Sequence, residues 1–319
     1  MTRSPGSKLS IVGAGAVGST TAYAALMRGL AETVALYDVD AARVQAEVLD
    51  LQHGLQFLPP AQVIGSDDAT VVEGSDLVIV TAGAKQKPGE SRLDLAERSV
   101  SIMRTLMPQL VAQAPEAVFL MVSNPVDVTT YAALRFTGLP AQQLFGSGTV
   151  LDSSRLRTLV ARHAGVAPQH VHGYIVGEHG DSEIPLWSQA MIGGVPLESW
   201  PGMSGVGGLD EEIRSRIAQD VVNAAYAVIA GKGATNYAIG LAATSIAAAV
   251  LRNERRILPV STLLTTVGQG LDEVCLSLPC LVDAGGAHGP LDTPMSAAER
   301  EALRASAEAV RAVIARVGL

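Results

Sequence analysis

An apolar run at residues 9–12 leads straight into Gly13-Ala14-Gly15-Ala16-Val17-Gly18, and small and apolar residues then continue to Leu30. Three glycines at this spacing, between a strand and a helix, restrict the fold more than any other feature of the chain. The first allows a tight turn, the second lets a phosphate approach the backbone, and the third lets helix and strand pack closely. The helix N-terminus behind them offers unpaired N–H groups and a positive dipole end. A second apolar run at 33–37 ends in Asp38, about twenty residues beyond Gly18, where an acid can receive the ribose diol of a dinucleotide. An acid there repels the additional phosphate of NADP. The cofactor is therefore read as NAD, held by Gly13, Gly15, Ala16, Val17, Gly18, Asp38 and the loop at Gly83.

The first half of the chain alternates between strand and helix patterns. Strands are expected at 9–12, 33–38, 76–82 and 118–123, and helices at 17–30, 41–54, 92–114 and 126–136. Val78-Ile79-Val80 and the run 118–122 are unbroken apolar stretches, as in parallel strands covered on both faces. This is an α/β pattern: a Rossmann-type doubly wound parallel sheet over 8–148, followed by an α+β catalytic domain over 149–319. The loops at 83–92 and Asn124-Pro125 fall at the carboxyl ends of the strands, where the nucleotide should lie. In the second half, Ile213, Ile217, Val221, Ala224 and Val228 recur at helical spacing, with Gly231 expected to end that helix. Ser296 and Glu299 form a capping box before a last helix with Leu303, Ala307, Val310, Ile314 and Val317 on one face, a packing element for this chain or a partner subunit.

With 23 basic against 31 acidic residues, the net charge of −8 gives no electrostatic case for nucleic acid or an anionic membrane surface. No signal-peptide core precedes the first strand, and the Ala-rich stretch 238–251 is too short to span a bilayer, so it is expected to be a buried helix. Cys275 and Cys280 are the only cysteines and form no metal or redox motif. Buried free thiols, no metal and a cytoplasmic location are the expectations.

Four residues carry the chemistry: Arg92 in GESRLDL, Asp152 and Arg155 in GSGTVLDSSRLR, and His179 in GEHGDS. Reducing a ketone needs a hydride on carbon and a proton on oxygen, and histidine is the natural donor near neutral pH. His179 follows the apolar 174–176, which puts it at a strand end. Asp152 can take the other ring N–H, fix the tautomer and stabilise the imidazolium. Arg155, three residues on, shares a helical face with Asp152 and suits a bidentate grip on a carboxylate. Arg92, at the end of a loop with Gly83, Pro88 and Gly89, can polarise the carbonyl and help exclude water. Together they equip the chain to reduce a 2-keto acid.

The phrases GAGAVG, TAGAKQKPGESRLDL, SNPVD, GSGTVLDSSRLR, GEHGDS and KGATNYAIG resemble the L-lactate/L-malate dehydrogenase family over essentially the whole chain. The resemblance implies hydride transfer between nicotinamide and substrate C2. It makes His179 the proton donor and acceptor, Asp152 its partner, Arg155 the carboxylate clamp and Arg92 the loop arginine. Asn124 would contact cofactor and substrate, with a cis Asn124–Pro125 bond, and Thr235 would line the substrate pocket. Relatives acting on malate carry an arginine where this chain has Gln86. A neutral glutamine leaves a second substrate carboxylate without a counter-charge, at a cost of several kcal/mol. Pyruvate and L-lactate are thus the expected pair. Malate dehydrogenase stays the alternative, because Lys85 and Lys87 flank Gln86, and longer 2-keto acids stay open. Ser99 stands where many relatives have asparagine, a difference expected to bear on packing.

Arg157 lies two residues after Arg155, roughly 200° around the helix, and cannot serve the same pocket. In bacterial members activated by fructose 1,6-bisphosphate, the positions of Arg157 and His172 form a phosphate-binding pair at a subunit interface, which implies the same effector and a homotetramer here. Two other classes fit less well. A non-catalytic NAD-binding sensor has no need of His179, Asp152 and Arg92 together, and a metal-dependent NAD glycosidase needs a Cys/His pair that Cys275 and Cys280 do not provide.

Overall fold

A computed structural model describes residues 6–84, 92–202, 207–265 and 271–319. Its first part runs β1 (Lys8–Val12), α1 (Ala16–Met27), β2 (Thr33–Tyr37), α2 (Ala41–Gly54), β3 (Gln62–Ser66), β4 (Leu77–Val80), α3 (Arg92–Gln113), β5 (Val118–Met121), α4 (Val126–Thr137) and β6 (Leu144–Gly146). The six strands pair in parallel in the order β3-β2-β1-β4-β5-β6. The order reverses between β1 and β4, and the crevice at their carboxyl ends is where doubly wound sheets bind nucleotides. Alternation along the strands explains their unbroken apolar runs. Val12, Val78, Val80, Phe119 and Met121 face a core built with α3, α4 and α8 (Ala297–Arg316). Leu9, Ile11, Leu77, Ile79 and Leu120 face the opposite core, which includes α1 and α2.

The second part begins with α5 (Val150–Ala164), followed by β7 (Val171–His172), β8 (Ile175–Val176), β9 (Ile184–Pro185), β10 (Met191–Ile192) and β11 (Val195–Pro196). Then come α6 (Glu211–Lys232), α7 (Tyr237–Leu251), β12 (Arg256–Leu264), β13 (Val274–Asp283) and β14 (Gly286–Pro290) before α8. The central sheet does not stop at 148. β12 pairs antiparallel with β6 through Ser261 and Gly146, and β13 and β14 extend it to nine strands. The Ala-rich α7 is buried over most of its length and packs on α1, Gly240 lying close to Thr20.

One helix expectation changes, and the last helix proves to be the packing element it was expected to be. α6 runs through Gly231 and ends at Gly233, which adopts φ 84° and donates its N–H to Ile229. Only Ile217 and Val221 of its apolar series are buried, and Val228 is exposed, because the last turns of α6 extend beyond the elements it packs on. The apolar face of α8 packs inside this chain: Leu303, Ala307, Val310 and Ile314 join the core on β13 and α4. Its capping box forms as expected, and Glu299 reaches further, accepting from the backbone and hydroxyl of Ser188. Both cysteines are buried and free. No helix among the described residues is long and apolar enough to cross a membrane.

Candidate active site

The glycine turn has the contacts its spacing requires. Gly13 adopts φ 99°, and a Cβ there would stand 2.9 Å from the Ala82 nitrogen. A Cβ on Gly18 would fall 1.8 Å from the Gly13 carbonyl oxygen, so only glycine lets α1 close on β1. A Cβ on Gly15, by contrast, would point into open space, the room a pyrophosphate needs. Asp38 follows β2, and its carboxylate accepts from Ala14 N (2.7 Å) and Asp40 N (3.0 Å). It is thereby fixed beside the turn. Thr81, after β4, donates to the Val12 and Gly13 carbonyls and ties the two strand ends together at the crevice. These residues fit a dinucleotide: the turn would hold its pyrophosphate and Asp38 its ribose.

Beside the crevice, several elements converge on the loop that carries His179. The helix α5 places Asp152 in its first turn, where the helix dipole favours a carboxylate. Thr149 Oγ1 donates to the Ile175 carbonyl, and Ile175 N donates to Ser153 Oγ, so the start of α5 is clamped to β8. The loop between β8 and β9 carries His179, and the cross-strand pair Val176–Ile184 closes it. Gly177 exchanges both backbone hydrogen bonds with Ser277 of β13, and Glu178 N donates to Ser306 of α8. His179 N donates to Asp127 of α4 at 2.7 Å, and Ser261 of β12 donates to the other oxygen of the same carboxylate at 2.6 Å.

In this frame His179 Nδ1 lies 2.6 Å from Asp152 Oδ2, and Arg155 Nη1 donates to Asp152 Oδ1 at 2.5 Å. Burial disfavours the imidazolium, but the charge and hydrogen bond of Asp152, with the charges of Asp127 and Glu183, raise the His179 pKa to about 9. Burial alone would raise the Asp152 carboxyl too. The charge and hydrogen bond of His179 and the charge of Arg155 hold it below the usual range instead. Burial pushes Asp127 up to about 6 despite its hydrogen bonds from Ser261 and the His179 backbone.

The cluster opens on a cleft of about 250 Å³ lined by Asn124, Arg155, His179, Glu183 and Tyr226 among others. That is below the roughly 300–1,000 Å³ of clefts for drug-sized ligands and suits a small acid. A larger cavity of about 710 Å³ beside β14 and the start of α8 contains none of these residues, so size alone does not locate the site. The Asn124–Pro125 bond is cis. The cleft is lined without Thr235, which sits half-buried in the connection from α6 to α7. Gly83 is exposed next to Ser123. Gln86 and its neighbours at 85–91 lie outside the described residues, as does the side chain of Arg92, whose backbone opens α3.

Arg157 points away from the cleft, as its helical position predicts. It donates to the Gly173 carbonyl at 2.9 Å and stacks over Tyr174, while His172 is exposed on β7. Ser99 does more than fill space: its hydroxyl donates to the carbonyl of Asn124 at 2.9 Å, one step from the cleft. Sequence reasoning missed Asp127 and Glu183. The motifs SNPVD and GEHGDS contain or adjoin both, but neither acid has a spacing that reveals its contacts.

A dinucleotide cradle at a topological switch point, next to a paired histidine and arginine, defines a nicotinamide-dependent oxidoreductase. The chain belongs to the lactate/malate dehydrogenase family: the model of that family's NAD-binding domain matches residues 7–146, and that of its alpha/beta C-terminal domain matches 149–318. NAD is accordingly the cofactor. An L-lactate dehydrogenase of Bifidobacterium animalis subsp. lactis is 51% identical over 311 residues, 98% of this chain and 97% of the relative. One from Synechococcus is 46% identical over 96% of this chain and 98% of its own length. A crystal structure of a lactate dehydrogenase from a deep-sea metagenome superposes with a TM-score of 0.93 at 36% identity, covering 100% of both chains.

Proposed function

We propose that this chain is an L-lactate dehydrogenase, reducing pyruvate to L-lactate with NADH and running the reverse oxidation with NAD. The observation that carries the reading is the His179–Asp152–Arg155 cluster facing a small cleft beside the dinucleotide turn. Bound NADH supplies the hydride that goes to substrate C2. With Nδ1 held by Asp152, the Nε2 proton of the imidazolium is the one available to the carbonyl oxygen, and in lactate oxidation the same nitrogen takes the proton back. Arg155, anchored by Asp152 at one nitrogen, grips the substrate carboxylate with the rest of its fork. Arg92 polarises the carbonyl, Asn124 borders cofactor and substrate, and Gln86 leaves the pocket without a charge for a second carboxylate; Thr235, outside the lining of the cleft, has its substrate role from the family resemblance alone.

The same reading extends to regulation and assembly. Arg157, held against Gly173, stands next to the strand that bears His172, and the pair would take the phosphates of fructose 1,6-bisphosphate across a two-fold axis of a cytoplasmic homotetramer. Purified protein is assayed for NADH oxidation with pyruvate and with oxaloacetate, each with and without fructose 1,6-bisphosphate. The expected results are a strong preference for pyruvate and a lower KM with the bisphosphate, an effect lost in Arg157→Gln. A preference for oxaloacetate overturns the substrate reading, and an unchanged KM removes the effector site.

A further inference from the structure

The proposed reaction uses His179, Asp152 and Arg155, yet another acid stands in the same cluster. One oxygen or nitrogen from each of Asp152, His179 and Glu183 lies within 4.8 Å of the others. Glu183 is the last residue of the loop from β8 to β9, and the pairing of Val176 with Ile184 turns it back beside His179. Glu178, at the other end of this loop, serves the loop itself: its carboxylate accepts from the backbone and hydroxyl of Ser182. Glu183 does not. Its Oε1 is buried and has no hydrogen-bond partner among the described residues. A buried oxygen left without a hydrogen bond costs the loop stability instead of adding to it. Its effect falls on the imidazole beside it.

We propose that Glu183 is a positioning residue for the proton on His179: once ionised, its carboxylate holds the imidazolium and thereby sets the pH at which the enzyme passes from reduction to oxidation. The proposal rests on His179 being the proton donor and acceptor. The groups facing the pair are Asp152 and Arg155 from α5, Asp127 from α4, and Glu178 and Asp181 from the loop. Tyr226 of α6 reaches the loop by donating to Asp181. Cys275 of β13 lies near Asp127, and burial keeps its thiol protonated. From α8 the cleft receives only Val310 and Val313. Arg92 starts α3, with its side chain outside the described residues.

Burial pushes the Glu183 carboxyl up, the Asp152 charge adds to this, and the charges of His179 and Arg155 oppose it, leaving it at about 8. His179 loses its proton higher, at about 9, and ionised Glu183 is one of the charges that hold it there. Near neutral pH Glu183 is therefore mostly protonated. As the pH rises through 8 it becomes an anion, and that anion resists the loss of the second proton. The two protons leave as a coupled pair. Reduction, which needs imidazolium, persists further into alkali, and oxidation, which needs neutral imidazole, is confined to higher pH.

The test compares kcat/KM for pyruvate reduction and L-lactate oxidation across pH in the wild-type holoenzyme, Glu183→Gln, Glu183→Asp and His179→Asn. One charge removed at this separation in a partly buried site moves a midpoint by about one pH unit. In Glu183→Gln the alkaline limb of reduction should fall by about that much, so that reduction near pH 9 drops several-fold while both reactions keep close to wild-type rates near pH 7, where Glu183 is protonated. Glu183→Asp keeps the charge and should restore part of the shift. An unmoved limb in folded Glu183→Gln overturns the proposal. Should that variant fail to fold, NMR titration of ¹³C-labelled His179 in the wild type decides: a second step below its main one supports the coupling, and a single step overturns it. His179→Asn separates the two readings. If it keeps full activity and the alkaline limb, the proton-donor reading fails, and Glu183 with it; if it loses both while Glu183→Gln is unmoved, only the Glu183 proposal fails.

Discussion

Replacing Asp152 with asparagine keeps the shape of the site and removes the charge that holds the His179 proton. Nδ1 and Oδ2 are 2.6 Å apart, with the histidine side chain 24% exposed and the aspartate 1%, so solvent screens the pair weakly. The pairing lifts His179 from its ordinary 6.5 to about 9, a difference worth about 3 kcal/mol between the two protonation states. Without Asp152, burial is the largest remaining influence and draws the imidazole down towards its ordinary 6.5, against the charges of Asp127 and Glu183. At pH 8 the protonated fraction then falls by up to about thirtyfold, but at pH 6 by less than about twofold. The assay is kcat/KM for pyruvate against pH. Asp152→Asn should lose up to about twentyfold more at pH 8 than at pH 6, above whatever constant loss comes from a misoriented ring. A loss equal at both pH values, with the alkaline limb in its wild-type place, would refute the argument. Stability carries a matching sign. Because pairing raises the His179 pKa, its stabilisation is complete below 6.5 and is lost as pH rises through about 9, so the variant's deficit in Tm should shrink in alkali.

Asp127 and the glycines provide sharper contrasts between folding and function. Asp127 titrates in the folded chain at about 6 instead of 3.8, so its contribution to stability is greatest below 3.8 and lost as pH rises through 6. Asp127→Asn should therefore keep or gain Tm at pH 7, while kcat falls roughly tenfold as the His179 loop loses a charged anchor; a fall in Tm with kcat intact would show that the anchor serves only folding. Gly18→Ala drives a methyl into the Gly13 carbonyl and should cost about 1–3 kcal/mol or more along with NADH affinity. Gly15→Ala meets nothing in the protein, so its Tm should stay unchanged while the Kd for NADH rises roughly tenfold. Thermal unfolding and NADH fluorescence titration read both variants, and equal Tm losses would contradict the different crowding at the two glycines.

Local signals in the sequence reached the features that local physics decides. The glycine spacing and the acid at Asp38 gave the turn between β1 and α1, because sterics at Gly13 and Gly18 depend on residues close in the chain or in adjacent strands. Apolar runs located β4 and β5, and Ser296 with Glu299 marked the start of α8. The short or less apolar strands β3 and β6 escaped, as did the continuation of the sheet into β12–β14, because pairing partners so far apart leave no periodic trace. The end of α6 fell at Gly233 instead of Gly231, since a mid-helix glycine costs only about 1 kcal/mol and the αL position decides the cap.

The candidate site divides in the same way. His179, Asp152 and Arg155 were legible because the motifs name residue types whose chemistry is incomplete without one another. Ser99 was read as a packing difference and proved to hold the Asn124 carbonyl. The nucleotide turn, the choice of NAD and the set of reacting groups could all be read from the chain, because they follow from residue chemistry and short-range sterics. It took the folded arrangement to bring Asp127, 52 residues from His179, onto its backbone and Glu183 into its cluster. Burial and charge proximity set those two acids' pKa values, and both arise only when separate elements close around one point.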